Sequence, residues 1–233
     1  MEFLIALILV LVLTVLCKKA IKRAPLVFYL LSAALVGYYL YAWAYGAPAF
    51  VWEYLLTFIQ KGLLALSFFI IVMFIGVLAP DSRLRKYLNP IRSELSIIGS
   101  ILACGHVIIY ASSYASYIMS GFAGVSPNVV TALILSLGLV MMLAVLALTS
   151  FALVRTNMAA KSWQRVQLFA YPFFLLTFVH ALLFLLPSAL AGNRSVILRV
   201  ALYSLLFLAY IILRVKKQLK EQREKASLSS LSR

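Results

Sequence analysis

The chain has 233 residues, of which 65% are hydrophobic and 12% are charged, and its mean hydropathy is +1.05. Soluble domains are only about half apolar, so the composition excludes a water-soluble globule and predicts an all-α, polytopic membrane protein. The formal net charge of +15 does not predict a nucleic-acid partner, because the charged residues lie in short clusters between apolar runs. The expected surroundings are a lipid bilayer.

Apolar runs of about 20 residues mark membrane-spanning helices. The number of such runs predicts a bundle of about seven transmembrane helices. The first run is the shortest. It has an acidic residue before it and basic residues after it, so we expect a retained span rather than a secretory signal peptide. The predicted spans are residues 3–17, 26–45, 55–78, 95–118, 129–154, 166–186 and 195–213.

The basic residues predict the orientation of the chain. Of the 21 Lys and Arg residues, 18 lie in residues 18–23, 81–94 and 155–165 or from residue 214 onward, which are alternate connections. Because basic connections stay in the cytoplasm, we expect a multi-pass protein of the cell inner (plasma) membrane with its N-terminus outside. The basic tail, residues 215–233, is expected in the cytoplasm, helical at first and disordered in its Ser-rich end.

The chain has two histidines, and both lie inside predicted spans. At 1.5 Å per residue, His106 and His180 lie about 16 and 21 Å from the cytoplasmic edge, so their depths agree within about one helical turn. Two neutral imidazoles facing each other in a helix bundle form a ligand set for heme iron. The alternative is that each histidine only bonds to a neighbouring helix.

A zinc or copper site is less favoured at this depth. No carboxylate lies near the two histidines in depth, and Cys104 is two residues before His106, off its helical face. The two cysteines, Cys17 and Cys104, lie far apart in apolar runs, so neither a disulfide framework nor a thiol exchange site is expected.

Two runs around the histidines carry a family resemblance. They are LAPDSRLRKYLNPIRSELSIIGSILACGHVIIY, residues 78–110, and ALTSFALVRTNMAAKSWQRVQLFAYPFFLLTFVHALLF, residues 147–184. Over about residues 55–214, the chain resembles the ferric reductase-like transmembrane domain. That superfamily includes ferric reductases, the membrane part of NADPH oxidases, and the heme-binding membrane subunit of the bacterial periplasmic methionine sulfoxide reductase system, which is closest in size. The most specific pieces are the basic segment leading to His106, the triplet Leu148, Thr149 and Ser150, and the residues Trp163, Arg165, Gln167 and Tyr171 before His180.

The resemblance implies a bundle in which histidines hold b-type heme and electrons cross the membrane. It implies His106 and His180 as the axial ligands of one heme b in the outer half. The family commonly has a further histidine 13 residues before the equivalent of His180, where this chain has Gln167, and the matching place before His106 holds Arg92 and Ser93. The inner heme is therefore expected to be absent.

A second cofactor is expected where the inner heme is missing. The methionine sulfoxide reductase heme subunits are thought to use flavin as well as heme. This resemblance implies FMN or a quinone near Arg92, Trp163 and Gln167. The alternative is that these three residues form an ordinary interfacial cluster.

Two further basic residues lie several positions inside the outer ends of their spans. A charge at that depth is costly unless the side chain reaches the interface or is paired. Because heme propionates are anions, Arg199 is the preferred propionate partner and Lys61 the second. For Lys61, an equal alternative is that its side chain extends to the membrane interface without a partner.

The sequence thus predicts a membrane heme b electron-transfer subunit, an oxidoreductase component. It would pass electrons from a separate cytoplasmic or membrane donor, a flavin or quinol, toward an extracytoplasmic reductase or acceptor protein. The predicted organisation is a two-span extension in residues 1–54, the heme-binding domain in residues 55–214 and the tail in residues 215–233. The alternative is a heme-free membrane scaffold or small transporter subunit in which the histidines only pack.

Overall fold

The computed structural model describes residues 2–231, apart from the side chains of residues 225, 226 and 228–231, and this part of the chain holds helices and no strand. Residues 1, 232 and 233 of the predicted extension and tail lie outside the described residues. The α-helices are α1 (Glu2–Arg23), α2 (Pro25–Tyr45), α3 (Ala49–Val51), α4 (Thr57–Gln60), α5 (Leu63–Val77), α6 (Arg83–Leu88), α7 (Arg92–Met119), α8 (Pro127–Ser150), α9 (Ala152–Thr156), α10 (Ala160–Gln167), α11 (Ala170–Leu190) and α12 (Arg194–Leu231).

The bundle has the membrane-spanning architecture that the composition predicts. Within the described residues, six helices are long and apolar enough to cross a bilayer, and one bent pair makes a seventh span. Exposed apolar side chains such as Leu16, Leu137 and Leu198 stay at least two-thirds accessible, as expected where lipid rather than water surrounds the helices. The predicted all-helical, multi-pass fold is confirmed.

The first and last helices extend beyond their predicted spans. The basic residues 18–23 continue α1 rather than form a connection, since no Gly or Pro interrupts the helix before Pro25. Helix α12 runs to Leu231, so the expectation of disorder in the Ser-rich end is wrong for residues 227–231. Ion pairs one turn apart, Lys217 with Glu221 and Lys220 with Glu224, support this extension.

The third span, predicted to be continuous over residues 55–78, is broken. A five-residue π-helical turn, Trp52–Leu56, leads into α4, and the chain bends by 48° before α5. Gly62 forms the bend with φ of +66°, a left-handed conformation that glycine adopts without the steric cost of a Cβ atom. The bend leaves the carbonyl groups at the end of α4 free to accept hydrogen bonds from other helices.

The span predicted over residues 166–186 also has a break. Helix α10 ends at Gln167, and α11 begins at Ala170, two residues before Pro172. Because proline has no N–H group to donate, it is tolerated in the first turn of a helix. Helix α10 packs against α8.

Helix α5 is the centre of the bundle. Twelve of its 15 residues are buried, a pattern typical of a helix surrounded by others. Helices α1, α7 and α12 pack around it, while α8 packs against α7 and α11. The predicted two-span extension belongs to the same core: the rings of Phe3 and Tyr203 lie 4.5 Å apart, and Tyr39 of α2 is fully buried.

Polar contacts between helix ends define two ends of the bundle. At one end, called the outer end after its predicted orientation, the Nζ atom of Lys61 donates to both carboxylate oxygens of Glu2 at 2.8 and 3.0 Å. At the other, the inner end, the Tyr87 hydroxyl donates to the Val15 carbonyl at 3.2 Å. These contacts distinguish the two ends of the bundle, and the side of the membrane that each end faces stays a prediction.

The packing of α7 against its neighbours predicts a difference between two glycines. A Cβ atom at Gly105 would lie 3.0 Å from Ile59, whereas one at Gly138 would meet nothing within 4 Å. Gly105→Ala should lower the stability of the bundle by about 1 to 3 kcal/mol, as expected for overpacking, and Gly138→Ala should leave it unchanged or slightly raised. Unfolding in mixed detergent micelles measures both; equal midpoints for the two variants would contradict the packing at Gly105.

Candidate functional site

The two histidines come together between α7 and α11. Their ring centres are 6.4 Å apart, and their planes make an angle of 86°. Both side chains are partly buried. The structure therefore places His106 and His180 at matching depth, as the count along the two helices predicts.

The bend in the third span holds the His106 ring. Its Nδ1 atom lies 2.6 Å from the carbonyl oxygen of Gln60, the last residue of α4. A carbonyl oxygen can only accept, so Nδ1 must carry the hydrogen and donate it. Gly62 lies against the same ring, where a Cβ atom would be 3.4 Å from Nδ1. The Nε2 atom of His106 is consequently left with a free lone pair.

Ser136 of α8 holds the second ring in the same way. The His180 Nδ1 atom lies 3.2 Å from the Ser136 hydroxyl oxygen. That hydroxyl oxygen also lies 2.7 Å from the carbonyl oxygen of Ala132. With the hydroxyl hydrogen on that carbonyl, Ser136 accepts from Nδ1 and a neutral His180 keeps its lone pair on Nε2; with the hydrogen toward Nδ1, the other tautomer is present.

The spacing of the rings fits two axial ligands of one metal. A ring nitrogen lies about 1.1 Å from the ring centre and about 2.0 Å from a bound metal, so imidazoles on opposite sides of one metal have centres about 6.2 Å apart. The observed separation of 6.4 Å is close to this value. Hydrogen bonds from both Nδ1 atoms are the usual way in which a protein orients metal-binding histidines.

The histidine pair offers only two ligands to a metal. In the described part of the chain, no group of three or more His, Cys, Asp or Glu residues is arranged to hold a metal ion. Cys104 is exposed and lies off the His106 face of α7. A metal between the rings would therefore have to bring its other ligands with it, as iron does in heme.

A cavity of about 360 Å³ opens toward the inner end of the bundle. Its lining contains both polar and apolar side chains and includes all three residues predicted for a second cofactor. The cavity, called the inner cavity, is lined by Phe69, Val72, Met73, Asn89, Arg92, Ser93, Ser96, Ser100, Leu143, Leu146, Ser150, Arg155, Trp163, Gln167, Ala170, Phe173 and Phe174.

Hydrogen bonds fix the three predicted side chains at the wall of the inner cavity. Trp163 Nε1 donates to the Thr149 carbonyl at 2.9 Å, and Gln167 Nε2 donates to the Thr149 hydroxyl at 3.0 Å. Arg92 Nε donates to the Val72 carbonyl at 3.0 Å. Thr149 is the second-last residue of α8. The side chains of Trp163 and Gln167, both on α10, therefore contact that end of α8.

The inner cavity is electropositive and has an unmet polar group beside it. Arg92 and Arg155 line it, and Arg155 lies near Ser93 at 3.5 Å. The Tyr210 hydroxyl is buried and, within the described residues, has no hydrogen-bond partner; its ring packs on Phe174, a cavity residue, at 4.9 Å. Because buried polar groups are normally satisfied, a bound polar molecule or water fits this place.

The cavity reaches close to the histidine pair. Its lining residues nearest to the histidines are Ser100 on α7 and Phe174 on α11, each six residues before the histidine of its helix, or about 9 Å along the helix axes. The Phe69 and Phe173 rings, 5.3 Å apart, also line the cavity. A planar molecule bound there would lie within two or three helical turns of both histidines.

The two predicted propionate partners lie together at the outer end. Lys61, beside the bend that holds His106, is paired with Glu2, which meets the requirement that a charge at this depth be paired or reach the interface. Arg199 lies near the same Glu2 carboxylate. Their role toward a propionate stays a prediction.

Sequence reasoning missed the residues that orient the histidines and the inner side chains. These are Gln60, Gly62, Ser136 and Thr149. A glycine inside an apolar run of a membrane span was the only local sign of the bend. The carbonyl group of Gln60 and the hydroxyl group of Ser136 gave no sign, because their partners are 46 and 44 residues away.

Comparison with known proteins gives one relative and no function. No family model matches the chain. The chain is 34% identical, over 232 residues, to an uncharacterised protein of Treponema pallidum (strain Nichols), a match that covers 99% of this chain and 64% of the relative. The chain thus spans less than two thirds of that protein's length. The similarity extends across all the membrane-spanning helices, and the resemblance to the ferric reductase-like domain stays a prediction.

Proposed function

We propose that the protein is a membrane electron-transfer subunit that holds one heme b between His106 and His180. The observation that carries this proposal is the ring separation of 6.4 Å, with each Nδ1 atom within hydrogen-bond distance of an oxygen atom behind the ring. A pair that ligates one iron through Nε2 needs its hydrogen on Nδ1 in both rings, and these oxygen atoms can accept it.

The chain's own residues have defined tasks in this mechanism. When bound, heme supplies an iron that gains and loses one electron. The Gln60 carbonyl and the Ser136 hydroxyl would orient the two imidazoles that hold the heme. With both imidazoles as ligands, the protein would keep substrate away from the iron, and the heme would serve electron transfer alone.

The inner cavity is proposed as the place of a second redox cofactor, FMN or a quinone. Its apolar depth, with Phe69 and Phe173, suits a planar ring system, and its two arginines suit a phosphate or a reduced, charged ring. Its volume lies in the range of small-molecule sites. Bound there, such a cofactor would shorten the distance between the inner surface and the heme.

The proposed direction is from a separate donor at the inner end to an extracytoplasmic reductase or acceptor protein. It is supported by the alternation of helix ends and by the excess of basic residues at the inner end. These also support an N-terminus outside and a C-terminus in the cytoplasm, in a cell inner (plasma) membrane. The competing proposal is a heme-free scaffold or transporter subunit in which the histidines only bond to neighbouring helices, and the contacts of His106 with Gln60 and of His180 with Ser136 are also those it expects. The heme spectrum separates the two proposals.

The first prediction concerns the axial ligands. His106→Ala and His180→Ala should each abolish the low-spin heme spectrum of the purified protein, because each leaves the iron with one protein ligand. Cys104→Ala, on the same helix two residues before His106, is the matched control and should keep the spectrum. Absorption spectra of the oxidised and the dithionite-reduced protein show whether each variant keeps the low-spin heme. Wild-type protein without Soret absorbance would remove the electron-transfer proposal.

The second prediction concerns the inner cavity. Gln167→Leu and Arg92→Ala should leave the heme spectrum intact but slow heme reduction by the native donor about tenfold or more, the expected loss when a bound cofactor is displaced. Gln164→Leu changes an exposed glutamine of the same helix outside the cavity and should not alter the rate. Stopped-flow reduction measures all three. Unchanged rates in both cavity variants, with no FMN or quinone in the purified protein, would mean that the electrons arrive another way.

The third prediction concerns orientation. A tag fused after Arg233 should be protected from protease added to intact cells, and a tag placed before Met1 should be cut, because 18 of the 21 basic residues favour this sidedness. Permeabilised cells, in which both tags are cut, provide the control. The reverse pattern of protection would place the inner cavity on the extracytoplasmic side.

A further inference from the structure

A second, widely open depression lies at the outer end, beside the histidine pair. It has a volume of about 440 Å³ and is called the outer cavity. In contrast to the inner cavity, no charged side chain lines it among the described residues. Its wall consists of Tyr110, Ser113, Tyr114, Tyr117, Gly124, Val125, Ser126 and Val129.

A row of aromatic rings joins the His106 ring to this cavity. The Tyr110 ring centre lies 4.7 Å from that of His106. The Tyr110 and Tyr114 rings follow at 6.4 Å, with planes only 16° apart, and the Tyr114 and Tyr117 rings at 5.9 Å. These residues recur every three or four positions, so they occupy one face of α7. The row therefore runs from a predicted iron ligand to the mouth of the cavity.

The loop between α7 and α8 shapes the opposite wall. Gly121, Phe122 and Gly124 all have positive φ angles, and for phenylalanine this conformation is costly and must be held by its surroundings. The Phe122 amide donates to the Tyr117 carbonyl at 2.7 Å, which fixes the loop against the tyrosine row. Ser126, at the start of α8, makes no capping hydrogen bond with its side chain, so its hydroxyl can bond a ligand.

We infer that the outer cavity binds the head group of a quinone, which is the immediate electron acceptor of the site. Parallel tyrosine rings offer faces on which a planar conjugated ring can stack. The Ser126 hydroxyl can donate to a quinone carbonyl oxygen. The uncharged lining favours a neutral quinone over a flavin nucleotide, whose phosphate would meet no cation. The inference rests on the proposed heme function, because it takes its electrons from that iron.

The redox step balances with the donor at the inner end as the reductant. A bound heme would supply one electron at a time by way of His106 and Tyr110, and the donor would reduce the heme again between the two transfers. Two protons from water at the outer face complete the conversion of the quinone to the quinol. The tyrosine rings provide the path and are not themselves oxidised.

Binding and reduction of menadione, a naphthoquinone without a tail, test this inference on the purified full chain. Isothermal titration should show saturable binding to the wild type. Tyr114→Leu removes one stacking ring and should weaken binding about five- to tenfold, and Val129→Trp should block the cavity and weaken it more. Tyr45→Leu, an exposed tyrosine outside the cavity, is the matched control and should bind as the wild type does.

A kinetic measurement gives an independent readout. Dithionite-reduced protein, freed of excess reductant, should be reoxidised by menadione more slowly in Tyr114→Leu than in Tyr45→Leu, while the resting heme spectrum is the same in both. A second arm uses long-chain menaquinone in lipid nanodiscs. Reoxidation of the reduced heme by menaquinone in the nanodiscs identifies a membrane quinone as the electron acceptor. Reoxidation by menadione alone identifies a soluble quinone as the acceptor.

The outcomes separate the two proposals. Equal menadione affinity in the wild type and in both cavity variants, or no binding to the wild type, overturns the quinone site even if the heme spectrum is present. A wild type without heme removes the electron-transfer function, and titration then still decides whether the cavity binds quinone. Size-exclusion chromatography of each variant ensures that a loss of binding is not a loss of folding, and Tyr114→Leu alone suffices if Val129→Trp does not fold.

Discussion

The geometry of the candidate site depends on two hydrogen bonds that hold the histidine rings from behind. The Gln60 carbonyl and the Ser136 hydroxyl each lie within hydrogen-bond distance of an Nδ1 atom, at 2.6 and 3.2 Å. An imidazole in an apolar bundle can turn about its side-chain bonds and can carry its hydrogen on either nitrogen. The carbonyl oxygen can only accept, so it selects the tautomer of His106, and both contacts restrain the rotation of the rings.

One of these bonds requires the broken third span. A continuous helix would use the Gln60 carbonyl for its own hydrogen bonds, whereas the left-handed Gly62 ends α4 and turns that carbonyl toward α7. A bend in a membrane helix is tolerated where neighbouring helices satisfy the freed backbone groups. Here the neighbour is the candidate ligand itself, which links the irregular backbone directly to the site.

The two cavities on either side of the histidine pair differ in chemistry. The inner cavity has two arginines and a deep apolar end, while the outer cavity has stacked tyrosine rings and no charge among the described residues. The residues on either side of the turn between α10 and α11 line the inner cavity. The strained loop before α8 lines the outer cavity. This arrangement supports the proposal of a path with one redox partner on each side of a central iron.

The sequence by itself determined the fold class, the number of spans and the matching depth of the two histidines. These follow from hydrophobicity and helical rise, which are local properties of the chain. It also placed Arg92, Trp163 and Gln167 in one region, because all three lie near the same end of their spans. It did not predict the bend at Gly62 or the helical Ser-rich end of α12, where local composition is ambiguous.

Only the tertiary structure decided which groups hold the two histidine rings. The Gln60 and Ser136 contacts join residues more than 40 positions apart, and no periodicity along one helix encodes the rotation of that helix toward another. The same is true of the tyrosine row: its spacing on α7 is visible in the sequence, but the cavity beside it exists only because the loop before α8 folds back against Tyr117. Helix contacts of this kind are set by the packing of the whole bundle.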